Sequence, residues 1–140
     1  MSARSKARKQ TLDILYEADI RGTQPLDILA VRDVTEEGPD ARPIREYTRE
    51  LITGVTDNRR KIDELIATYA QGWDMDRLPA VDRNIMRLAL FEILWSPSLD
   101  DAVAIDEALS LAKELSTDES SAYIHGVLAR IASLKDGLSL

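Results

Sequence analysis

The sequence predicts an all-α protein, a compact bundle of six to seven helices in two packed helical halves that meet near residues 70–80. Apolar residues recur at three- and four-residue intervals along most of the chain, and no stretch alternates apolar and polar residues as a half-exposed strand would. Aromatic residues make up only 5% of the composition. With 140 residues, 44% of them hydrophobic, the chain is long enough to form a core of its own. We therefore expect a single domain over residues 1–140.

Two helices and a linker are predicted in the first third of the chain. The first helix covers residues 5–21 and ends at Gly22, because glycine favours the left-handed conformation that closes a helix. A short second helix follows Pro25. The polar stretch 35–42 combines acids with glycine and proline, which is typical of a connection. We interpret it as an internal linker.

Three more helices are predicted from the positions of proline and asparagine. Pro43 suits the first position of a third helix, where its missing N–H costs nothing. Asn58 is predicted to cap a fourth helix that ends at Gly72. Pro79 opens a fifth helix that ends at Ser96 and is apolar around nearly its whole circumference. Since a helix that is apolar all round is buried on most sides, we expect this one at the centre of the bundle.

The last two helices complete the predicted bundle. The sixth covers residues 102–115. The seventh begins at a capping box in which Ser116 accepts from the amide of Glu119, and it stops near Gly137. Gly126 lies inside this helix at a cost of about 1 kcal/mol relative to alanine. We therefore expect a neighbouring backbone to approach closely at Gly126.

The charge is concentrated at one end of the chain. Four cations and no acid occupy the first ten residues, namely Arg4, Lys6, Arg8 and Lys9. Since the whole chain carries −7, the other 130 residues carry a net −11. Cations at a helix N-terminus oppose the helix dipole, and an external anion would compensate. The segment 1–10 is therefore either a solvated, frayed end or a local phosphate-binding site, and we expect the fold to survive deletion of residues 2–9.

Several functional classes find no support in the sequence. There is no cysteine, no apolar stretch of the roughly 20 residues that cross a membrane, and no secretory signal, so we expect a cytoplasmic protein. The one histidine, His125, lies four residues after Ser121, with no orienting acid nearby. Asp74 and Asp76 lack the further ligands of a calcium loop. We predict neither catalysis nor a metal or other cofactor.

Three segments together resemble the NusB family. They are residues 7–19 (ARKQTLDILYEAD), 78–94 (LPAVDRNIMRLALFEIL) and 106–128 (DEALSLAKELSTDESSAYIHGVL). The resemblance implies an all-α fold of two subdomains and a role in antitermination of ribosomal RNA operons. It also implies three partners: boxA-type single-stranded RNA, the small-subunit ribosomal protein NusE, and the antitermination complex of RNA polymerase. A homodimer stays open.

The resemblance further implies which residues take part. The positions that match its RNA-binding residues are Arg4, Lys6, Arg8, Lys9, Tyr16, Glu119, Ser120 and Tyr123. Asp82 matches an acidic position near the partner surface. The cations would contact phosphates, and Tyr123 would either stack on a base or belong to the core.

Two other functions remain open from the sequence. One is an RNA-binding accessory module related to the N-terminal domain of ribosomal RNA cytosine methyltransferases. The other is a helical interaction or dimerisation module without RNA, in which the basic end is incidental. Binding of boxA-type RNA with and without the protein partner distinguishes all three.

Overall fold

The computed structural model describes residues 1–35, 38–39, 42–72 and 77–140. Within these ranges the chain forms helices and no strand, which confirms the predicted all-α class. The helices are α1 (Ala3–Arg21), α2 (Pro25–Thr35), α3 (Glu46–Asp57), α4 (Arg59–Tyr69), α5 (Ala80–Trp95), α6 (Asp101–Leu115) and α7 (Asp118–Leu134), followed by a 3₁₀ turn at Lys135–Gly137. None of the helices in the described ranges is long and apolar enough to cross a membrane.

Helix α5 lies at the centre, as predicted. It packs against α1, α3, α4, α6 and α7. Helices α1 to α3 pack on one another to one side of it, and α6 packs on α7 to the other. Ile14, Leu51, Ile85 and Leu128 are among the fully buried side chains of the shared core. Each such residue stabilises the fold by roughly 1.5–3 kcal/mol through removal of apolar surface from water.

A polar cluster joins α1 to α4 and α5. Asp19 Oδ2 accepts hydrogen bonds from Arg83 Nε (2.9 Å), Asn84 Nδ2 (2.8 Å) and Arg87 (3.2 Å). Arg87 also pairs with Asp63 of α4 at 2.8 Å. Burial alone would raise the pKa of Asp19, but its hydrogen bonds and the nearby arginine charges outweigh this and lower it.

The first helix ends where the sequence predicts. Gly22 adopts a left-handed conformation (φ 68°), and the N–H of Thr23 donates to Ala18 at 2.9 Å. At its start, Ser2 accepts from the N–H of Ser5 at 3.0 Å, so the helix begins two residues earlier than expected. Pro25 opens α2, as predicted. Of the predicted linker, residues 36, 37, 40 and 41 lie outside the described residues.

The third helix begins at Glu46, so the prediction that it begins at Pro43 is wrong. The reason is a contact with α1, 35 residues earlier in the chain. Gln10 Oε1 accepts from the N–H of Arg45 at 3.0 Å, and Gln10 Nε2 donates to the carbonyl of Pro43 at 3.3 Å. These bonds hold residues 43–45 beside α1, and Arg45 is extended (φ −72°, ψ 147°).

Two predicted caps are also wrong. Asn58 makes no capping bond to α4, because its side chain donates instead to the carbonyl of Gly54 at 2.8 Å, near the end of α3. Helix α7 is capped by Thr117, one residue after the predicted Ser116. Thr117 Oγ1 accepts from the N–H of Ser120 at 3.0 Å.

The close approach predicted at Gly126 occurs at a different glycine. A Cβ atom built at Gly126 would meet nothing within 4 Å, so that prediction is wrong. A Cβ atom at Gly54 would lie 2.2 Å from the ring of Phe91. Gly54 is therefore the position where α3 and α5 pack too closely for any side chain.

Candidate nucleic-acid interface

A groove of about 1300 Å³ runs along one side of α1. Helix α1 forms one wall, and residues 42–45 with Arg32 of α2 form the other. Val81 and Leu115 line it at the first turn of α5 and the last residue of α6. Among the described residues, its lining includes five cations, Lys6, Lys9, Arg32, Arg42 and Arg45, and one carboxylate, Asp13. The groove is therefore positive on a chain whose net charge is −7.

Between the cations the groove is apolar and aromatic. Leu12 and Ile44 line it from opposite walls. Tyr16 also lines it, and 39% of its surface is exposed because the buried side of α1 is occupied by Ile14, Leu15 and Ala18. An exposed tyrosine ring beside cations can stack on a nucleobase whose phosphates the cations contact.

Two of the groove cations are paired with carboxylates. Arg32 donates to Asp13 Oδ2 and to Glu17 Oε1, both at 2.9 Å, which fixes α2 against α1. Burial alone would lower the pKa of Arg32, but these carboxylates raise it. Lys9 pairs with Glu114 at the end of α6. These pairs are surface contacts, each contributing about 0–1 kcal/mol.

Arg8 does not face the groove. It is only 3% exposed, and its Nε and Nη2 atoms each lie 2.9 Å from a different oxygen of the buried Glu92. Tyr47 donates its hydroxyl to the same carboxylate, and Glu107 lies 3.4 Å from Arg8. The structure thus places Arg8 in the interior, rather than on the surface row of four cations that the sequence suggested.

The pKa values of this buried cluster follow from its geometry. Burial alone would lower the pKa of Arg8, yet the hydrogen bond and charge of Glu92 outweigh it and raise the pKa. Burial and the neighbouring Glu92 carboxylate raise the pKa of Tyr47 to about 12. Arg8 therefore stays charged and Tyr47 neutral at physiological pH.

The rest of the N-terminal turn packs onto this cluster. The guanidinium of Arg4 lies 4.6 Å from the centre of the Tyr47 ring, a cation–π contact. Ser5 donates to Glu107 at 2.7 Å. Deleting residues 2–9 would leave Glu92 buried without its counterion, so the expectation that the fold survives this deletion is not supported.

Asp82 is buried rather than exposed on a partner surface. It lies in the first turn of α5, next to the groove residue Val81, and is 3% exposed. Among the described residues, no donor reaches its Oδ1 atom. Asp82 can therefore contact a partner directly only when the first turn of α5 opens. With that turn closed, Asp82 can affect a partner only through neighbouring residues.

The three predicted residues at the start of α7 are not among the residues that line the groove. Glu119 is exposed, and Ser120 Oγ lies 3.0 Å from Thr117 Oγ1. Tyr123 packs partly against the core, its hydroxyl donates to the carbonyl of Gln71 at 3.4 Å, and burial raises its pKa. The structure thus brings Lys6, Lys9 and Tyr16 together in the groove, but none of these three.

Sequence reasoning missed the second wall of the groove. Arg42 and Arg45 flank the wrongly predicted start of α3, and Arg32 lies on α2. No local pattern pairs them with α1, because Gln10 holds residues 43–45 and the pair Asp13 and Glu17 holds Arg32, all from a distance in sequence. The sequence offered only the basic character of these three residues.

Comparison with known proteins gives a consistent family. The NusB family model matches residues 5–133. The transcription antitermination protein NusB of Saccharopolyspora erythraea is 51% identical over 139 residues, covering 99% of this chain and 92% of that protein. The NusB of Streptomyces coelicolor is 49% identical over 140 residues, covering 99% and 98%.

Solved structures agree with the sequence comparison. T. maritima NusB superimposes with a TM-score of 0.79 at 33% identity, covering 98% of this chain and 99% of that one. A chain from a complex of the antitermination factors NusB and NusE with double-stranded RNA gives a TM-score of 0.77 at 26% identity, covering 93% and 96%. The chain belongs to the NusB family.

Proposed function

We propose that this protein is a cytoplasmic transcription antitermination factor that binds boxA-type single-stranded leader RNA of ribosomal RNA operons together with NusE. It is a binding protein and not an enzyme. Its relatives carry the name of antitermination proteins, and one structural neighbour was solved with NusE and RNA. The observation that carries the proposal is the groove, in which exposed cations surround Tyr16 on an otherwise acidic chain.

The proposed RNA contacts divide the basic segment into two roles. Lys6 and Lys9 contact phosphates from the groove side of α1, the exposed Arg4 contacts them from its position over the Tyr47 ring, and Tyr16 stacks on a base. Arg8 is left out of these contacts because its guanidinium is occupied by Glu92. It instead holds the first turns of α1 in place, so that the exposed cations are ordered before RNA arrives.

A second contact region is proposed at the start of α7. Glu119 and Ser120 are accessible there, while Tyr123 contributes through its exposed edge because its ring packs partly on the core. Few phosphates can be neutralised by this protein alone, and its acidic body repels RNA elsewhere. NusE therefore supplies additional RNA surface, and the antitermination complex of RNA polymerase receives the assembly.

The partner contact is proposed near the start of α5. The buried Asp82 carboxylate has no donor at Oδ1 among the residues that the structure describes, and it is available to a hydrogen-bond donor of NusE if the first turn of α5 opens. Replacement by asparagine preserves size and tests the charge, whereas lysine would place an unpaired cation in the interior. Weaker NusE binding by a folded Asp82→Asn variant is expected, and unchanged binding would remove Asp82 from the contact.

The function is tested by RNA binding with and without NusE. We expect tight binding of a boxA oligonucleotide only when NusE is present, and weaker binding of a scrambled sequence of equal length. Lys6→Ala should weaken it, while Arg60→Ala on the exposed start of α4 is the matched control. RNA binding that ignores NusE would favour the accessory module related to methyltransferases. Absence of RNA binding in every combination would favour an interaction or dimerisation module.

A further inference from the structure

The wall of the groove opposite α1 carries cations that the RNA contacts described above do not use. We propose that this wall, centred on Arg45, is a second phosphate-binding stretch for the same RNA strand. The strand then crosses the groove from the basic segment of α1 to the start of α3, with its bases over the apolar floor. This inference rests on the proposed function and specifies the path of the RNA.

Arg45 and Lys6 differ from Arg32 and Lys9 in their pairing. Arg32 and Lys9 are each held by a carboxylate. Among the described residues, no carboxylate forms an ion pair with Arg45 or with Lys6, which lie on opposite walls of the groove. Both side chains belong to exposed residues. Each wall therefore offers one exposed cation that forms no ion pair with a carboxylate of the described residues.

The position of Arg45 at the start of a helix also disfavours its positive charge. It is the residue that precedes the first turn of α3, and it makes no capping bond through its side chain. A cation at a helix N-terminus opposes the helix dipole, and in this turn the dipole is complemented by Glu46, so the guanidinium of Arg45 has no favourable interaction with the dipole. A guanidinium can also hold two phosphate oxygens at once.

The two walls are fixed relative to one another. Gln10 of α1 bonds to both Pro43 and Arg45. Thr48 lies in the first turn of α3, and its hydroxyl oxygen is 2.8 Å from Gln10 Oε1 and 3.1 Å from the carbonyl oxygen of Ala7, so its one proton is shared between these two acceptors. The spacing between the backbones of the two walls is thus set by hydrogen bonds, so a bound strand has to order only the exposed side chains of Lys6 and Arg45.

The lining of the groove favours a nucleic acid strand over an acidic peptide. Cations on two walls meet the phosphates, while the exposed Tyr16 and the partly exposed Ile44 offer flat and apolar surface to bases. An acidic peptide would form ion pairs with the cations but would place its polar backbone against the apolar lining of the groove. The experiment must therefore distinguish RNA from an acidic protein segment as the ligand of this wall.

The test measures RNA affinity against salt for the complex with NusE. Each phosphate contact to a single strand contributes about 0.7 to the slope of log affinity against log salt concentration. Arg45→Ala should reduce the magnitude of this slope by about 0.7. If the variant and the wild type bind RNA equally at 1 M salt, the variant should then bind about fivefold more weakly than the wild type at 0.1 M. Arg45→Lys should keep the slope, and Arg60→Ala should match the wild type.

Two results would overturn the inference. If Lys6→Ala lowers the slope and Arg45→Ala behaves like Arg60→Ala, the strand does not reach this wall, and the proposed function still stands. If polyglutamate of equal charge displaces RNA as well as a competing RNA does, and depends equally on Arg45, the wall is a site for acidic protein. Failure of the wild-type complex to bind RNA at all would instead contradict the proposed function.

Discussion

The two sides of α1 carry the same kind of residue in opposite environments. On the inner side, Arg8 is buried and bound by Glu92 beneath Tyr47. On the outer side, Lys6 and Lys9 line an open groove. The difference teaches that a count of basic residues in a segment does not give the number of charges a ligand can meet. One cation of this segment is paired inside the fold, and only its neighbours in the groove are accessible to a ligand.

The largest effect is expected on the inner side. Arg8→Ala should lower the free energy of unfolding by about 3–5 kcal/mol, because removal of one partner leaves the buried Glu92 carboxylate without its counterion. Urea denaturation measures this directly. Lys6→Ala, on the outer side, should change it by less than about 0.5 kcal/mol. Equal stability of the two variants would show that Arg8 is not held as described.

A pair of glycines extends the comparison to packing. Gly54→Ala should destabilise the protein by about 1–3 kcal/mol or more, because the new methyl group would clash with Phe91 where α3 crosses α5. Gly126→Ala meets open space on α7 and should stabilise by up to about 1 kcal/mol through helix propensity. Melting curves of both variants check the two signs, and a stabilised Gly54→Ala variant would contradict the close crossing.

The inner cluster should also be visible in the pH dependence of stability. The pKa of Tyr47 is about 12 in the folded state, above its ordinary value of 10. The folded state therefore holds this proton more tightly, so the stabilisation is complete below pH 10 and is lost as the pH rises towards 12.

This loss is at most about 2–3 kcal/mol. Denaturation from pH 9 to 12 should show a steeper fall for the wild type than for Tyr47→Phe, which keeps the ring beneath Arg4. Parallel curves for the two proteins would mean that Tyr47 titrates normally.

The smallest effect concerns the outer side. Glu114→Gln removes the carboxylate that pairs with Lys9 and competes with phosphate for it. Stability should change by less than about 1 kcal/mol, because the pair is exposed. RNA affinity of the complex should rise a few-fold, and more so at low salt, where repulsion between Glu114 and phosphate is least screened. Weaker RNA binding by this variant would show that Glu114 supports the site rather than competing with it.

Local patterns were sufficient for most of the fold. The apolar face of α5, Gly22 after α1 and Pro25 before α2 each act within a few residues, and the structure bears them out. The start of α3 was missed because Gln10 holds residues 43–45 extended from a distance in sequence. The family resemblance pointed to Lys6, Lys9 and Tyr16, which the structure brings together in one groove, and their contact with RNA stays a prediction.

Polar groups inside the bundle were not predictable in the same way. The pattern of α5 reads as apolar all round, yet it buries Asp82, Arg87 and Glu92. The partners of Arg87 and Glu92 lie on α1, α3 and α4, so their burial depends on tertiary pairing that periodicity does not encode. The burial of Arg8 and the second wall of the groove were missed for this reason.

The central claim is that RNA meets the outer side of α1 and the facing wall, and not the inner side. Two-dimensional NMR of the isotope-labelled wild-type protein, titrated with unlabelled boxA RNA in complex with unlabelled NusE, tests it without any substitution. The signals of Lys6, Tyr16 and Arg45 should shift with RNA, while the side-chain Nε–H signal of Arg8 stays unchanged. A shift of the Arg8 side chain with no change at Tyr16 and Arg45 would contradict the account.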